Sequence, residues 1–282
     1  MPTEGVSVLI KDTAICIRAS DYSETSQIVT FFTKDSGKIS AIAKGSKRPK
    51  SAFGGPFEIF SYGKIVFADS NKEKLATLTE FEPVGSGTGF STLSADLFKL
   101  NCCLFATELL NKLTHDYDPH PQLFDDFLQF LHNTQSSTTI KRPASSIELF
   151  TLLILFQLSL LKETGLQPVF NHCVNCKTQF YPEPVPKVRS RRDALNNTRH
   201  EARGTGYDVY FSSSVNGLIC RDCESAFPDK IRLSPNAANC LINLKLLTKA
   251  NEKTLKEIEK LLANHFTEIL GHKPKMAKYI LP

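Results

Sequence analysis

Four of the eight cysteines stand in two CxxC pairs, Cys173-Val174-Asn175-Cys176 and Cys220-Arg221-Asp222-Cys223. A tight turn inside each pair brings both sulfurs to one side. Two pairs can therefore offer four thiolates to a single ion, the donor set of a closed tetrahedral zinc site. Four sulfurs leave no open position for water, so this pattern argues for a structural metal and against a catalytic one. CxxC pairs also occur as buried thiols and as redox pairs. His172, beside the first pair, could substitute for a ligand but is read as a neighbour. The 43 residues between Cys176 and Cys220 far exceed the roughly 15–20 of a simple ribbon spacing. That excess is explained if 181–205 is an extended basic loop extruded from the finger, since its PEPVP run and the polar, basic residues that follow have little to bury. Tyr207–Phe211 and Asn216-Gly217 then read as the second finger hairpin, leading to Cys220. Cys16, Cys102, Cys103 and Cys240 sit within apolar patterns and read as core residues.

The second chemically suggestive stretch is Gly37–Lys50, GKISAIAKGSKRPK, which holds five basic residues and no acid. Its first half alternates as a strand does. Its second half sets Lys44, Lys47, Arg48 and Lys50 around Gly45, and Pro49 stops the strand. Such a run is either a solvated loop or a phosphate-binding edge, and composition alone leaves both open. The charge distribution bears on the choice. The net charge is +5, yet residues 37–50, 187–203 and 271–282 carry +5, +4 and +3, so the rest of the chain is net −7. Concentrating positive charge locally makes a polyanion-binding surface without a high overall pI.

No GxxxxGK[ST] loop, GxSxG elbow, HExxH or zinc-deaminase signature is present. His115 with Asp116 and Asp118 reads as an exposed interhelical loop rather than a metal cluster. These observations favour a binding protein over an enzyme. Neither a basic n-region nor an apolar leader opens the sequence, and the most apolar stretch, Ile147–Leu161, is interrupted by polar residues and too short to span a bilayer. A cytoplasmic protein in a reducing compartment, with no membrane partner, is expected.

The elements that must position these groups follow from the periodicities. Val6–Val84 reads as short strands: 8–10 and 14–17 as a bent strand or pair, then 27–33, 38–43, an alternating Phe57–Phe67, and 75–81. In that reading Phe60 and Tyr62 share the face opposite Phe57 and Phe67, and each is either a core residue or a candidate to stack on bases. Five or six such segments fit a small closed barrel such as an OB-fold, which strand count cannot separate from an SH3-like barrel. Beyond a flexible boundary at 85–89, apolar residues recur with helical period around Leu93–Leu109, from Pro121, from Pro143 and Ser145 or Ser146 to a C-cap at Gly165, over 237–249, and over Thr254–Leu270. The expected fold is an α+β multidomain protein: an OB-fold β-barrel domain (1–84), a helical domain in two parts (85–171 and 227–282), and a four-cysteine zinc finger inserted at 172–226.

Taken together, the residues Tyr22-Ser23-Glu24, Ile28-Val29, Phe32-Thr33, Gly37-Lys38-Ile39 and Ala43-Lys44-Gly45 resemble the RecO family of bacterial DNA repair proteins. The CxxC…CxxC set among helices and the tail from Leu270-Gly271-His272 to Tyr279-Ile280-Leu281 extend the resemblance over nearly the whole chain. The long finger insertion and Pro274–Lys278 depart from the family pattern. The resemblance implies a recombination mediator that binds single- and double-stranded DNA and anneals complementary strands. It also implies contacts with the acidic tail of single-stranded-DNA-binding protein and action with RecR to load RecA, in the bacterial cytoplasm at the nucleoid. On this reading Lys44, Lys47, Arg48 and Lys50 contact DNA, and Cys173, Cys176, Cys220 and Cys223 hold one structural zinc ion. The competing classes are a zinc-finger adaptor that binds protein rather than DNA, and a zinc-dependent enzyme, which would need an unsaturated metal site.

Overall fold

A computed structural model describes residues 8–69, 75–84, 96–136, 146–181, 203–204 and 208–281, with 203–204 as backbone alone. The boundary at 85–89, the polar run from Ser137 and most of the basic stretch 187–203 lie outside these residues. The chain forms two compact units, 1–142 and 143–282.

The first unit is built on a closed five-stranded barrel: β1 (Val8–Asp21), β2 (Gln27–Thr33), β3 (Lys38–Ala43), β4 (Tyr62–Asp69) and β5 (Ala76–Pro83). Their order around the barrel is β1-β2-β3-β5-β4, with β4 returning to β1. This is an OB-fold arrangement. One strand closes it. The first half of β1 pairs with β4 and the second half with β2, and the register slips between Cys16 and Arg18. A bulge of this kind bends and twists a strand enough to serve both edges. Both halves expected from the sequence are therefore one bent strand.

Inward positions alternate as the period of two requires, and Ala14, Ala41, Ala43 and Ala76 leave room for large rings. Phe31, Phe57 and Phe81 fill that room, with the Phe57 ring edge-on to Phe31 at 5.6 Å and to Phe81 at 5.0 Å. Edge-to-face pairs of this kind add about 1 kcal/mol each beyond the area they bury. The expected Phe57–Phe67 strand is shorter than its alternation suggested. It begins at Tyr62, because Phe60 adopts φ 69° and leaves the strand conformation. Phe60 is 1% exposed, so it belongs to the core and not to an outward stacking face.

Two helices complete the first unit, α1 (Leu97–Leu113), capped by the Asp96 carboxylate, and α2 (Pro121–Ser136). Phe32 of β2 meets Phe124 of α2 at 6.0 Å. Lys38 shows how the barrel holds α1. Its Nζ donates to the carbonyls of Asn111 and Thr114 at 2.9 and 2.8 Å, satisfying the end of a helix whose last carbonyls have no partner within it. One of the five charges of the basic stretch is thus used structurally. Lys38→Met is expected to cost about 2 kcal/mol, the loss of two charge-assisted bonds, which urea unfolding of the variant checks.

The second unit holds α3 (Ser146–Glu163), α4 (Pro235–Ile242), α5 (Glu252–Leu270) and α6 (Ala277–Ile280). Gly165, at φ 74°, ends α3 as expected, with Leu166 N–H returning to the Leu161 carbonyl. The helix expected over 237–249 breaks at Asn243, whose side chain accepts from Lys245 N–H and starts a separate 3-10 turn. Between α3 and α4 lie short strands: β6 (Phe180–Tyr181), β7 (Arg203–Gly204), β8 (Val209–Ser212), β9 (Gly217–Cys220) and β10 (Ile231–Leu233). β10, β8 and β9 form one antiparallel sheet, and β6 pairs with β7 in parallel. Among the described residues no helix is long and apolar enough to cross a membrane.

Candidate nucleic-acid interface and candidate metal centre

The basic loop leaves the end of β3 at one rim of the barrel. Lys44, Lys47, Arg48 and Lys50 are all exposed, while Ser46 between them is fully buried. The reason is a polar anchor. Gln27, buried at the start of β2, accepts from Ser46 Oγ at 3.0 Å and from Phe57 N–H at 2.8 Å, and its Nε2 donates to the Phe57 carbonyl. The tip of the β1–β2 hairpin braces the loop from the other side. Gly45 N–H donates to Ser26 Oγ, Lys47 N–H to the Thr25 carbonyl, and Lys47 Nζ to Asp21 at 2.7 Å. The four candidate cations therefore project from a loop pinned at its middle rather than from a free coil.

Exposed charges on a pinned loop lose little side-chain freedom to solvent contacts and remain available to phosphates. Lys47 is the exception, since Asp21 competes for it. Gln27 and Ser46 escaped the sequence reading; the available signal was a buried-type strand, Gln27–Thr33, that opens on a glutamine.

In the second unit the four paired cysteines converge. The Sγ atoms of Cys173, Cys176, Cys220 and Cys223 all lie within 4.8 Å of one another. Cys173–Thr178 forms the first knuckle, closed by Lys177 N–H to the Cys173 carbonyl and Cys173 N–H to the Thr178 carbonyl. The second runs from the end of β9 into a 3-10 turn, Arg221–Ala226. Val174 N–H donates to the Leu218 carbonyl and ties the knuckles together. The 3.6 Å between Cys176 and Cys220 Sγ is close to the edge of a tetrahedron with 2.3 Å metal–sulfur bonds, about 3.8 Å. It is far beyond a disulfide bond, so these are free thiols poised around a point.

Groups around the sulfurs suit thiolates. Asn175 Nδ2 donates to Cys223 Sγ, Cys220 N–H approaches Cys173 Sγ, and the Thr178 hydroxyl meets Cys176 Sγ at 3.1 Å. Burial opposes ionisation of Cys176, but the Thr178 bonds and the neighbouring Cys220 and Cys173 thiols outweigh it and bring the group down to about 6. Burial, and sharing a site with Cys176 and Cys223, push Cys220 up. The residues thus fit a metal that binds thiolate, and they form a closed set. His172 stays outside it, its Nδ1 paired with Asn171 Oδ1. Cys16, Cys102, Cys103 and Cys240 are buried as expected, and burial pushes the thiols of Cys16 and Cys103 up to about 12. The loop around His115 has no metal-binding geometry among the described residues; Asp116 lies near Lys38, and Asp118 near His120.

Comparison with known proteins matches both units. The family model described as recombination protein O N terminal covers residues 7–86, and that described as recombination protein O C terminal covers residues 94–278. The DNA repair protein RecO of Bacillus pumilus (strain SAFR-032) is 29% identical over 97% of this chain and 94% of its own length. The protein of that name from Bacillus subtilis (strain 168) is 28% identical over the same shares, and that of Alkaliphilus metalliredigens (strain QYMF) 29% identical over 92% and 87%. With a barrel matched by one model and the helices and cysteine centre matched by the other, the chain belongs to the recombination protein O (RecO) family.

Proposed function

We propose that this chain is a DNA-binding recombination mediator of DNA repair. It binds single- and double-stranded DNA, anneals complementary strands, and helps load the recombinase RecA at gaps covered by single-stranded-DNA-binding protein, whose acidic tail and RecR are its protein partners. Family membership along nearly the whole chain and the relatives' shared name support the repair role. The observation that carries DNA binding is the quartet Lys44, Lys47, Arg48 and Lys50, exposed on a loop pinned to the rim of an OB-fold barrel.

The mechanism is electrostatic. Cations that neutralise phosphates release condensed counterions, and they do so for either strand because the phosphates carry no sequence. Two strands held with their repulsion reduced can pair through their own bases. That step requires no nucleophile and no general base. The four thiolates would hold one zinc ion, which cross-links the two knuckles and leaves no position open for substrate.

Replacing all four loop cations with alanine is expected to weaken single-strand binding by about 100-fold at low salt. It should also make the log–log salt slope shallower by about 3, close to four phosphate contacts at roughly 0.7–0.9 each. Single substitutions cost only several-fold, Lys47→Ala the least because Asp21 already holds that side chain. Fluorescence anisotropy against salt, followed by annealing of complementary oligonucleotides, checks this. A fourfold variant that is folded and binds as tightly as the parent overturns the assignment, and a parent that neither binds nor anneals DNA points to a protein-binding barrel.

A further inference from the structure

We infer that Tyr22 is a base-stacking residue that gives the basic rim a preference for single-stranded DNA. The inference rests on the proposed DNA-binding function and adds to it a residue that reads strandedness. Among the described aromatic residues of the barrel, Phe31, Phe32, Phe53, Phe57, Phe60 and Phe67 are buried and Tyr62 and Phe81 are half-buried. Tyr22 alone among them is largely exposed, at 61%. It therefore contributes little to the core, and its place in the fold is specific.

Tyr22 opens the five-residue connection between β1 and β2, which is drawn tight by Tyr22 N–H and Ser23 N–H both donating to the Ser26 carbonyl. This is the same connection that holds the basic loop. Asp21, the preceding residue, pairs with Lys47; Thr25 and Ser26 accept from the backbone of Lys47 and Gly45. An exposed ring is thus fixed to the same rim as four exposed cations.

An exposed aromatic ring on the connection that braces a basic loop is an arrangement that suits a single strand. The cations track phosphates, and the ring receives a base that has no stacking partner of its own. In a duplex the bases are already stacked and paired, so the ring gains nothing there. Tyr22 thereby separates the two DNA forms without reading sequence, since every base has a π-face.

The test uses the full chain with a labelled oligo(dT) and a labelled hairpin duplex. Tyr22→Ala is expected to weaken oligo(dT) binding by about 10-fold, within the range for loss of one stacked base, and to leave duplex binding unchanged. Tyr22→Phe keeps the ring and should keep the affinity. The chain contains no tryptophan, so Tyr22→Trp introduces a single indole whose emission should be quenched by oligo(dT) and not by duplex. Unchanged oligo(dT) binding by Tyr22→Ala, or equal losses for both DNA forms, overturns the inference, the latter marking the ring as a support for the hairpin. The fourfold loop variant separates the two levels: if it loses affinity while Tyr22→Ala does not, DNA binding by the rim stands and stacking falls.

Discussion

Serine at both Cys176 and Cys220 is expected to take the purified protein from one zinc ion per chain to none, and to unfold the region around β8, β9 and β10. The two residues come from different knuckles and their sulfurs lie 3.6 Å apart, so removing them halves the donor set and leaves each knuckle a single thiolate, too few to hold the ion tightly. Free zinc-finger peptides gain about 10–16 kcal/mol of apparent binding energy from such a site. Here part of the centre is already organised by backbone bonds, including Val174 to Leu218, so the loss to the whole unit is smaller. A loss of about 4 kcal/mol is still a large share of the stability of an ordinary domain and lowers Tm by about 10 °C.

Metal analysis of the purified protein and a thermal melt check both parts. Cys240→Ser is the control: Cys240 is a buried thiol of α4, outside the four-sulfur group, and its variant should keep the zinc. A parent protein that carries no zinc, or a double variant that retains it, would sink the metal assignment.

The gathering of these four cysteines was legible in the sequence because a knuckle is local: two cysteines three positions apart need only a tight turn. The barrel strands were legible for a similar reason, since alternation over Lys38–Ala43 survives as alternate burial. Contacts distant along the chain were not legible. Lys38 looks like part of the basic run, yet its charge is taken by carbonyls of Asn111 and Thr114, and no local pattern announces a helix end brought to that point. Gln27 reads as a polar residue at a strand start, although it is the anchor of the candidate interface. Phe60 kept the strand alternation in sequence and lost it in space, because it takes a left-handed conformation to enter the core. Asn243 shows the converse failure: apolar spacing ran through 237–249, but a side-chain cap ended one helix and began a 3-10 turn.

Gly37→Ala is expected to destabilise the first unit by about 4 kcal/mol or more, from two costs that act together. Gly37 turns β2 into β3 at φ 74°, where a side chain costs about 1–2 kcal/mol. A Cβ there would also lie 2.5 Å from the backbone N, C and O of Asp118 in the α1–α2 connection. Backbone cannot rotate aside as a side-chain tip can. Relief would require moving the connection, which is held by Tyr117 N–H to the Lys38 carbonyl, or opening the turn, which is held by Thr33 N–H and Oγ1 to the Gly37 carbonyl. Gly54 separates the two costs. It has φ 77° but nothing within 4 Å of a Cβ, so Gly54→Ala should lose only about 1 kcal/mol. Urea unfolding of both variants tests this, and equal losses would mean that the α1–α2 connection does not press on the turn. Gly37 and the basic loop lie at opposite ends of β3, so the Gly37→Ala protein that remains folded should bind DNA as the parent does. A weaker barrel with an unchanged interface would show that the grip of the helices on β3 serves stability, and that the loop depends on Gln27 and the β1–β2 hairpin for its shape.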